Sequence, residues 1–242
     1  MCRLFLSINS HYQIKDKIYK FLNQSIHEKK NTPLLNNHRD YDNHKDGFGF
    51  AWLKNNNFEI YKNTCIYTED KILNDIIDFM PKDIIIGHIR RKSFPITSYY
   101  NTHPFKYKNN IFCHNGSIKD FHIYKNLLLK FISWKYLKYI KGETDSEILF
   151  YLYLSLLDNQ EINKYEKAMN ELFELFIYLN IELAANFIFA NKDVIIVTRY
   201  IINSNQAPSL YIDTSNGIVI SSEPITDNWK LINENTILIF KI

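Results

Sequence analysis

The residue best equipped for covalent chemistry stands at the start of the chain. Loss of Met1 would leave Cys2 with a thiol and a free α-amino group on one residue. An α-amine titrates at roughly 7.7 to 8 and can take a proton near neutrality, so nucleophile and base could be one residue, whereas an internal cysteine must find its base elsewhere. Taken alone, a cysteine opening the run Cys2-Arg3-Leu4-Phe5-Leu6-Ser7-Ile8 is usually a small core residue of a first strand. Four more segments carry reactive groups. Gly87-His88-Ile89-Arg90 delivers a guanidinium to a strand end, as a bidentate partner for a carboxylate or as an ordinary ion pair. Asn101-Thr102-His103-Pro104-Phe105 holds a histidine before a proline, in a rigid loop or a plain turn. Cys113-His114-Asn115-Gly116 is expected to end a strand in a tight turn. There the Asn115 amide and the Gly116 N–H could converge on an oxyanion, or could simply form an Asn-Gly turn. Gly142-Glu143-Thr144-Asp145-Ser146-Glu147 sets carboxylates at a helix start, where they cap the helix or build a charged site.

The elements that must position these groups follow from periodicity and turn chemistry. A strand is expected over residues 2–8 and a helix over 12–24 with Ile14, Ile18, Phe21 and Leu22 on one face, followed by a polar loop over 27–45. Runs at 46–53 and 58–61 flank Asn55-Asn56-Asn57 as a hairpin, because asparagine tolerates positive φ. A helix over 69–79 stops near Pro81, and Ile84-Ile85-Ile86-Gly87-His88-Ile89 reads as a strand buried on both faces. A Ser/Tyr/Asn-rich loop then runs to about residue 110, before a short strand at 111–114. The middle third is helical: Ile123, Leu127, Leu128, Phe131 and Leu137 fall near helical spacing, and a Thr144-x-x-Glu147 capping box opens a helix to 157. The next helix spans 163–179 with Tyr165, Met169, Leu172, Phe173 and Phe176 inward. Strands return at 186–190, 194–200, 209–213, 217–221 and 236–242, the fourth entered through Asn216-Gly217.

Composition narrows the function classes. At 242 residues, 46% hydrophobic and 15% aromatic, the chain fits one domain over 1–242. A net charge of +3 from 29 basic and 26 acidic residues gives no electrostatic footprint for nucleic acid or an anionic membrane. Lys125, Lys130, Lys135 and Lys138 with Trp134 and Tyr136 read as the solvated face of an amphipathic helix. Cys2, Cys65 and Cys113 are an odd number without paired metal-ligand spacing, against a disulfide framework and against zinc. His88, His103 and His114 lack companion ligands at matching spacing, so neither a metal nor another cofactor is expected. No secretory signal opens the chain and the apolar stretch 148–157 is too short to span a membrane, so a cytoplasmic protein starting at its own methionine is expected.

Met1-Cys2, Asp46-Gly47-Phe48-Gly49, Gly87-His88-Ile89-Arg90, Asn101-Thr102-His103-Pro104-Phe105, His114-Asn115-Gly116 and Thr144-Asp145-Ser146-Glu147, in that order, resemble the class II glutamine amidotransferase domain, an N-terminal nucleophile hydrolase. Ser221-Ser222-Glu223-Pro224 followed by Trp229 is similar to the closing motif of its stand-alone members, those of the ergothioneine-pathway and glutathione-degrading γ-glutamyl hydrolase type. The resemblance covers essentially the whole chain. It implies an α+β fold, a four-layer αββα sandwich, which agrees with the element count. It also implies that Cys2 attacks the γ-carbonyl of glutamine or a γ-glutamyl amide, that Asn115 and Gly116 hold the oxyanion, and that Arg90, His103 and Asp145 bind substrate. Arg90 would take the α-carboxylate and Asp145 the α-ammonium, with residues 91–100 as the closing loop. Where sugar and nucleotide synthases of the family carry Trp, this chain has Arg91-Lys92-Ser93, so a different closing loop is implied. An ammonia-accepting synthase would have to be a separate subunit. A catalytically silent binding or regulatory subunit that keeps the fold and the glutamyl pocket is the alternative.

Overall fold

Apolar and β-branched residues alternate in two blocks, near the N-terminus and in the last third of the chain, and helical spacing fills most of the stretch between. The computed structural model describes residues 2–26, 44–91, 97–158, 164–204 and 206–242. The first block gives β1 (Arg3–Ile8), α1 (Ile14–Asn23), β2 (Phe48–Lys54), β3 (Asn57–Asn63), α2 (Leu73–Phe79) and β4 (Ile84–Ile89). The middle gives β5 (Phe105–Tyr107), β6 (Asn110–Ile118), α3 (Phe121–Leu129), α4 (Trp134–Leu137), α5 (Asp145–Leu157) and α6 (Lys164–Tyr178). The last block gives β7 (Leu183–Ala190), β8 (Val194–Ile202), β9 (Tyr211–Asp213), β10 (Ile218–Ser221), β11 (Lys230–Leu231) and β12 (Thr236–Lys241).

Two sheets form, a seven-stranded one ordered β11-β9-β10-β1-β4-β2-β3 and a five-stranded one ordered β12-β8-β7-β6-β5. Strand alternation sorts their side chains into three apolar layers. Phe5, Ile85 and Ile89 face outward from the first sheet onto Ile18 and Phe21 of α1 and Ile77 of α2. Leu4, Leu6, Ile84 and Ile86 face the other way and meet Ile111, Cys113, Ile188 and Val197 between the sheets. On the far side, Phe112, Phe187 and Phe189 pack on Leu149, Tyr153, Leu172 and Phe176 of α5 and α6. The result is the four-layer αββα sandwich, with β1, β4 and β6 at its centre.

Most expected elements form. The hairpin turns at Asn55 and Asn56, whose φ values of 50° and 60° are those of a tight two-residue connection. Thr144 caps α5, its Oγ1 accepting from Glu147 N at 3.2 Å. The reciprocal half of the box is replaced: the Glu147 carboxylate instead accepts from Lys141 N and Gly142 N, at 3.0 and 2.7 Å. Three expectations fail. The loop ahead of residue 110 contains β5, paired with β6. The stripe expected from Ile123 onward is inward only in part: Leu128 of α3 is buried in the core, but Ile123 is 64% and Phe131, beyond the helix, 42% exposed. The turn at Asn115-Gly116 is absent: β6 runs straight through both, Asn115 opposite Asn186 and Gly116 opposite Ala185. Eight consecutive pairings with β7 override the local preference of Asn-Gly for a turn. The central part of the polar loop, 27–43, lies outside the described residues, as does 92–96 of the expected closing loop.

Gly116 is needed for proximity, not for a turn. A Cβ placed there would lie 1.9 Å from Ala184 O and 2.5 Å from His114 Nε2. Gly116→Ala is expected to cost about 1–3 kcal/mol through overpacking. For a chain of this size that lowers the thermal midpoint by roughly 2–4 °C per kcal/mol. An unchanged midpoint in calorimetry would show that β6 and β7 can separate freely here.

Candidate active site

Pairing of β1 with β4 sets Arg3 opposite Ile89, so the next step outward sets Cys2 opposite Arg90. Both continue the strand faces that look between the sheets. The Cys2 thiol donates to Arg91 O at 3.6 Å and accepts from Arg91 N at 3.5 Å. Burial pushes the thiol above its usual range, opposed by the Arg91 N–H and the Arg90 cation, with the Asp145 charge adding to the rise. Arg90 is 4% exposed and is fixed from the Asp46-Gly47 segment ahead of β2: its N donates to Gly47 O at 2.8 Å and its Nη1 to Asp46 O at 3.4 Å. Burial pulls its guanidinium down, and Cys2 and Asp46 oppose this. Cys65 is half-buried and Cys113 fully buried, its thiol driven far up by desolvation.

From the other sheet, β6 contributes Asn115. Alternation turns it to the same side as Cys113, into the space between the sheets, and its Oδ1 has no hydrogen-bond partner among the described residues although the residue is 2% exposed. An orphaned buried amide oxygen is costly in an otherwise satisfied structure, so this side chain is held ready for a partner. Gly116 N–H emerges, by strand alternation, on the edge where Ile118 N donates to Asp145 Oδ2 at 2.9 Å. Asp145 Oδ1 accepts from Ser146 N at 2.8 Å. Cys2, Arg90, Asn115, Gly116 and Asp145 are thus gathered at one end of the central strands. His103 is set apart from them. The segment before Pro104 buries it to 3% exposure, stacked on His88 at 4.0 Å and edge-on to Phe105 at 4.5 Å. Neither of its nitrogens has a hydrogen-bond partner among the described residues.

Five residues that the sequence gives no spatial role complete the surroundings. Arg3 and Glu223, 6% and 2% exposed, approach to 2.5 Å, and Ser222 pins the same strand by accepting from Leu4 N at 2.8 Å through Oγ and donating from its own N to Leu4 O at 3.0 Å. The closing Ser-Ser-Glu-Pro segment therefore clamps the residues just after Cys2. An arginine directly after the cysteine and a glutamate 220 positions later give no local signal of this pairing. His88 Nε2 donates to His114 O at 3.2 Å, joining one sheet to the other. His114 Nε2 lies 3.0 Å from Ala184 O, which can only accept, so Nε2 carries the proton and Nδ1 accepts from Ser146 Oγ at 2.9 Å. Among the described residues, no group of three or more His, Cys, Asp or Glu could hold a metal ion, and no helix is long and apolar enough to cross a membrane.

Residues 31–204 match the profile of the glutamine amidotransferases class-II. The probable glutamine amidotransferase DUG3 of Saccharomyces cerevisiae is 26% identical over 247 aligned residues, 81% of this chain and 69% of that protein. An uncharacterized protein of Methanocaldococcus jannaschii is also 26% identical, over 84% of this chain and 63% of its own length. Among solved structures, a glutamine aminotransferase class-II domain protein from Silicibacter pomeroyi superposes with a TM-score of 0.65 at 20% identity, over 99% of this chain and 95% of that one. The glutamine phosphoribosylpyrophosphate amidotransferase of B. subtilis gives 0.68 at 16% identity, and this chain covers 47% of it. These likenesses show the fold, that of the N-terminal nucleophile hydrolases.

His88, His103 and His114 are each held neutral by burial, His88 down to about 3 and His103 well below the usual histidine range. The unfolded chain takes up these protons near pH 6.5 and the native chain does not, so the stability they contribute is present above that pH and is lost as pH falls below it. The expected loss is up to about 1.4 kcal/mol per pH unit for each histidine, running from pH 6.5 toward the native pKa values. Urea unfolding at pH 7.5, 6.0 and 5.0 tests this. A midpoint that holds level down to pH 5 would mean that these rings are already protonated in the fold.

Proposed function

Because the chain belongs to the class-II glutamine amidotransferases, we propose that it hydrolyses the γ-amide of glutamine or another γ-glutamyl compound, with Cys2 as nucleophile, and releases glutamate. The family carries amide-hydrolysing or amide-transferring activity in general. The observation that carries the specific reading is the seating of Cys2 opposite Arg90 just beyond β1 and β4, with Asn115 of β6 turned into the same space between the sheets.

In this reading residues 1–242 act as one glutaminase domain. Removal of Met1 frees the α-amine of Cys2, which takes the thiol proton as Sγ bonds to the γ-carbonyl carbon. A base is needed because burial keeps the thiol protonated. The carbonyl π electrons move onto oxygen, where the Asn115 amide and the Gly116 N–H donate to the oxyanion. Collapse expels the amine, which takes back the proton, and water cleaves the thioester to glutamate. Arg90 pairs the substrate α-carboxylate and Asp145 its α-ammonium, holding the amide in attack geometry. His103, packed behind His88, is a positioning residue for this wall. The departing ammonia or larger amine goes to solvent or to a separate acceptor protein.

The roles separate in kinetics. Cys2→Ala is expected to fold but release no glutamate, and a diazo-ketone glutamine analogue to add once, at Cys2 and not at Cys65 or Cys113. Asn115→Ala should lower kcat on the order of 10² to 10³ with KM nearly unchanged, since its donor acts on charge formed during the reaction. Arg90→Ala and Asp145→Asn should chiefly raise KM. Steady-state glutamate release from glutamine, glutathione and other γ-glutamyl amides provides the measurement. Turnover by Cys2→Ala, or full activity in protein retaining Met1, would overturn the mechanism.

A further inference from the structure

A second cavity, of about 350 Å³, opens between the edge strands β3 and β5 and the segment leading into α5, and none of Cys2, Arg90, Asn115 or Asp145 lines it. Its lining includes Lys62, Lys106, Lys108 and Lys141. Six lysines elsewhere in the fold, Lys15, Lys20, Lys54, Lys119, Lys135 and Lys192, each lie within 4 Å of a carboxylate. Among the described residues none of the four cavity lysines does. The one acidic lining residue, Glu147, is 4% exposed and has both oxygens taken by the N–H groups of Lys141 and Gly142. Four ammonium groups face a single carboxylate, whose charge acts on Lys62, so positive charge is in excess here.

The ammonium of Lys62 crosses from one sheet edge to the other, donating to Thr102 O at 2.6 Å and Pro104 O at 3.3 Å. An ammonium has three donors, so one N–H is left. Lys106 reaches back in the opposite sense to Phe58 O. Burial pulls Lys62 down to about 8, still largely protonated at neutral pH. The other walls are aromatic: Tyr99, Tyr100, Tyr107, Tyr139 and Tyr151 line the cavity. Tyr99 and Tyr100 are each 51% exposed and Tyr139 38%, so flat ring faces stand at the rim. Lys62, Lys141 and Lys108 already lie over the rings of Tyr99, Tyr100 and Tyr107 at 4.5, 5.6 and 5.6 Å.

An excess of cations calls for an anion, and exposed ring faces for a planar apolar group. The volume is at the small end of the roughly 300–1,000 Å³ that ligand sites occupy, the size for a small molecule. We propose that this cleft binds a small planar aromatic anion, a ring carrying a phosphate or a carboxylate, at a site distinct from that of Cys2.

Calorimetric titration of the intact protein with phenyl phosphate, benzoate, inorganic phosphate and benzyl alcohol tests the assignment. One ring-bearing anion should bind saturably, one per chain, at least about tenfold tighter than either inorganic phosphate or benzyl alcohol, with affinity falling as salt is raised. Which of phenyl phosphate and benzoate binds tighter identifies the head group. Lys108 and Lys141 are exposed, so the double variant Lys108→Ala/Lys141→Ala should fold normally and lose about tenfold in affinity, as should Tyr100→Ala. Protein alkylated at Cys2 should bind as before. The proposal is overturned if neither aromatic anion binds better than its fragments, if the variants bind like wild type, or if alkylation at Cys2 abolishes binding. Tighter binding of a single-stranded oligonucleotide, lost in Trp134→Ala, would also overturn it by assigning this face to nucleic acid.

Discussion

Strand β6 is paired on both edges only as far as Phe112, where β5 begins its short run opposite it. Beyond that point no described strand lies beside the outer edge of β6, and the backbone groups of His114, Gly116 and Ile118 must find other partners. The His114 carbonyl takes the His88 ring from the opposite sheet, and the Ile118 N–H takes the Asp145 carboxylate from the start of α5. Between them stands Gly116. The open edge thus fixes two things together, how one sheet registers on the other and where α5 begins, and in the proposed reading it also supplies the backbone donor that faces Cys2. An ordinary central strand, paired to its end, would have consumed these groups in its ladder.

Charge is buried around this edge, and each buried charge has an arrangement that offsets its desolvation. Arg3 meets Glu223 almost without solvent, and Arg90 is held by backbone oxygens on its own sheet. Removing one partner of such a pair leaves the other stranded, which costs more than the pair contributes. The Arg3–Glu223 contact therefore belongs to the precision of the site: it fixes the residue after Cys2 from a segment more than two hundred positions away. The same burial that requires these pairs keeps the Cys2 thiol protonated. A nucleophile placed there needs a proton acceptor, and in the proposed reading its own α-amine is the one at hand.

The sequence disclosed elements whose signal is local. The run at residues 84–89 and the asparagine turn at 55–56 form where periodicity and positive φ place them. It misled where tertiary pairing won. Asn115-Gly116 has the chemistry of a turn, yet becomes mid-strand because β7 pairs along its whole length. Ile123 and Phe131 have helical spacing without a surface to cover. The order of motifs along the chain points to candidate site residues, but not to how they sit in space. Nothing near His103 announces that its ring stacks on His88, and nothing near Glu147 announces that it leaves its capping partner for Lys141 and Gly142.

That exchange of partners at Glu147 has a consequence for the whole end of the molecule. The first two turns of α5 present Asp145 and Ser146 to Ile118 and His114 on one side, and Glu147 and Tyr151 to the lysine and tyrosine cleft on the other. A conventional capping box would tie Glu147 to the helix's own first residue and leave 141–142 unanchored. Here the carboxylate draws those two residues in, while Asn101 Oδ1 accepts from Glu143 N at 2.9 Å. The loop before β5 and the approach to α5 are thereby joined into one wall. Gly142 is required at that junction, because a Cβ would lie 2.5 Å from Asn101 Oδ1. One helix start, seated by a glycine, a threonine and a diverted glutamate, holds the acidic group of the candidate active site on one face and closes the second cleft with the other.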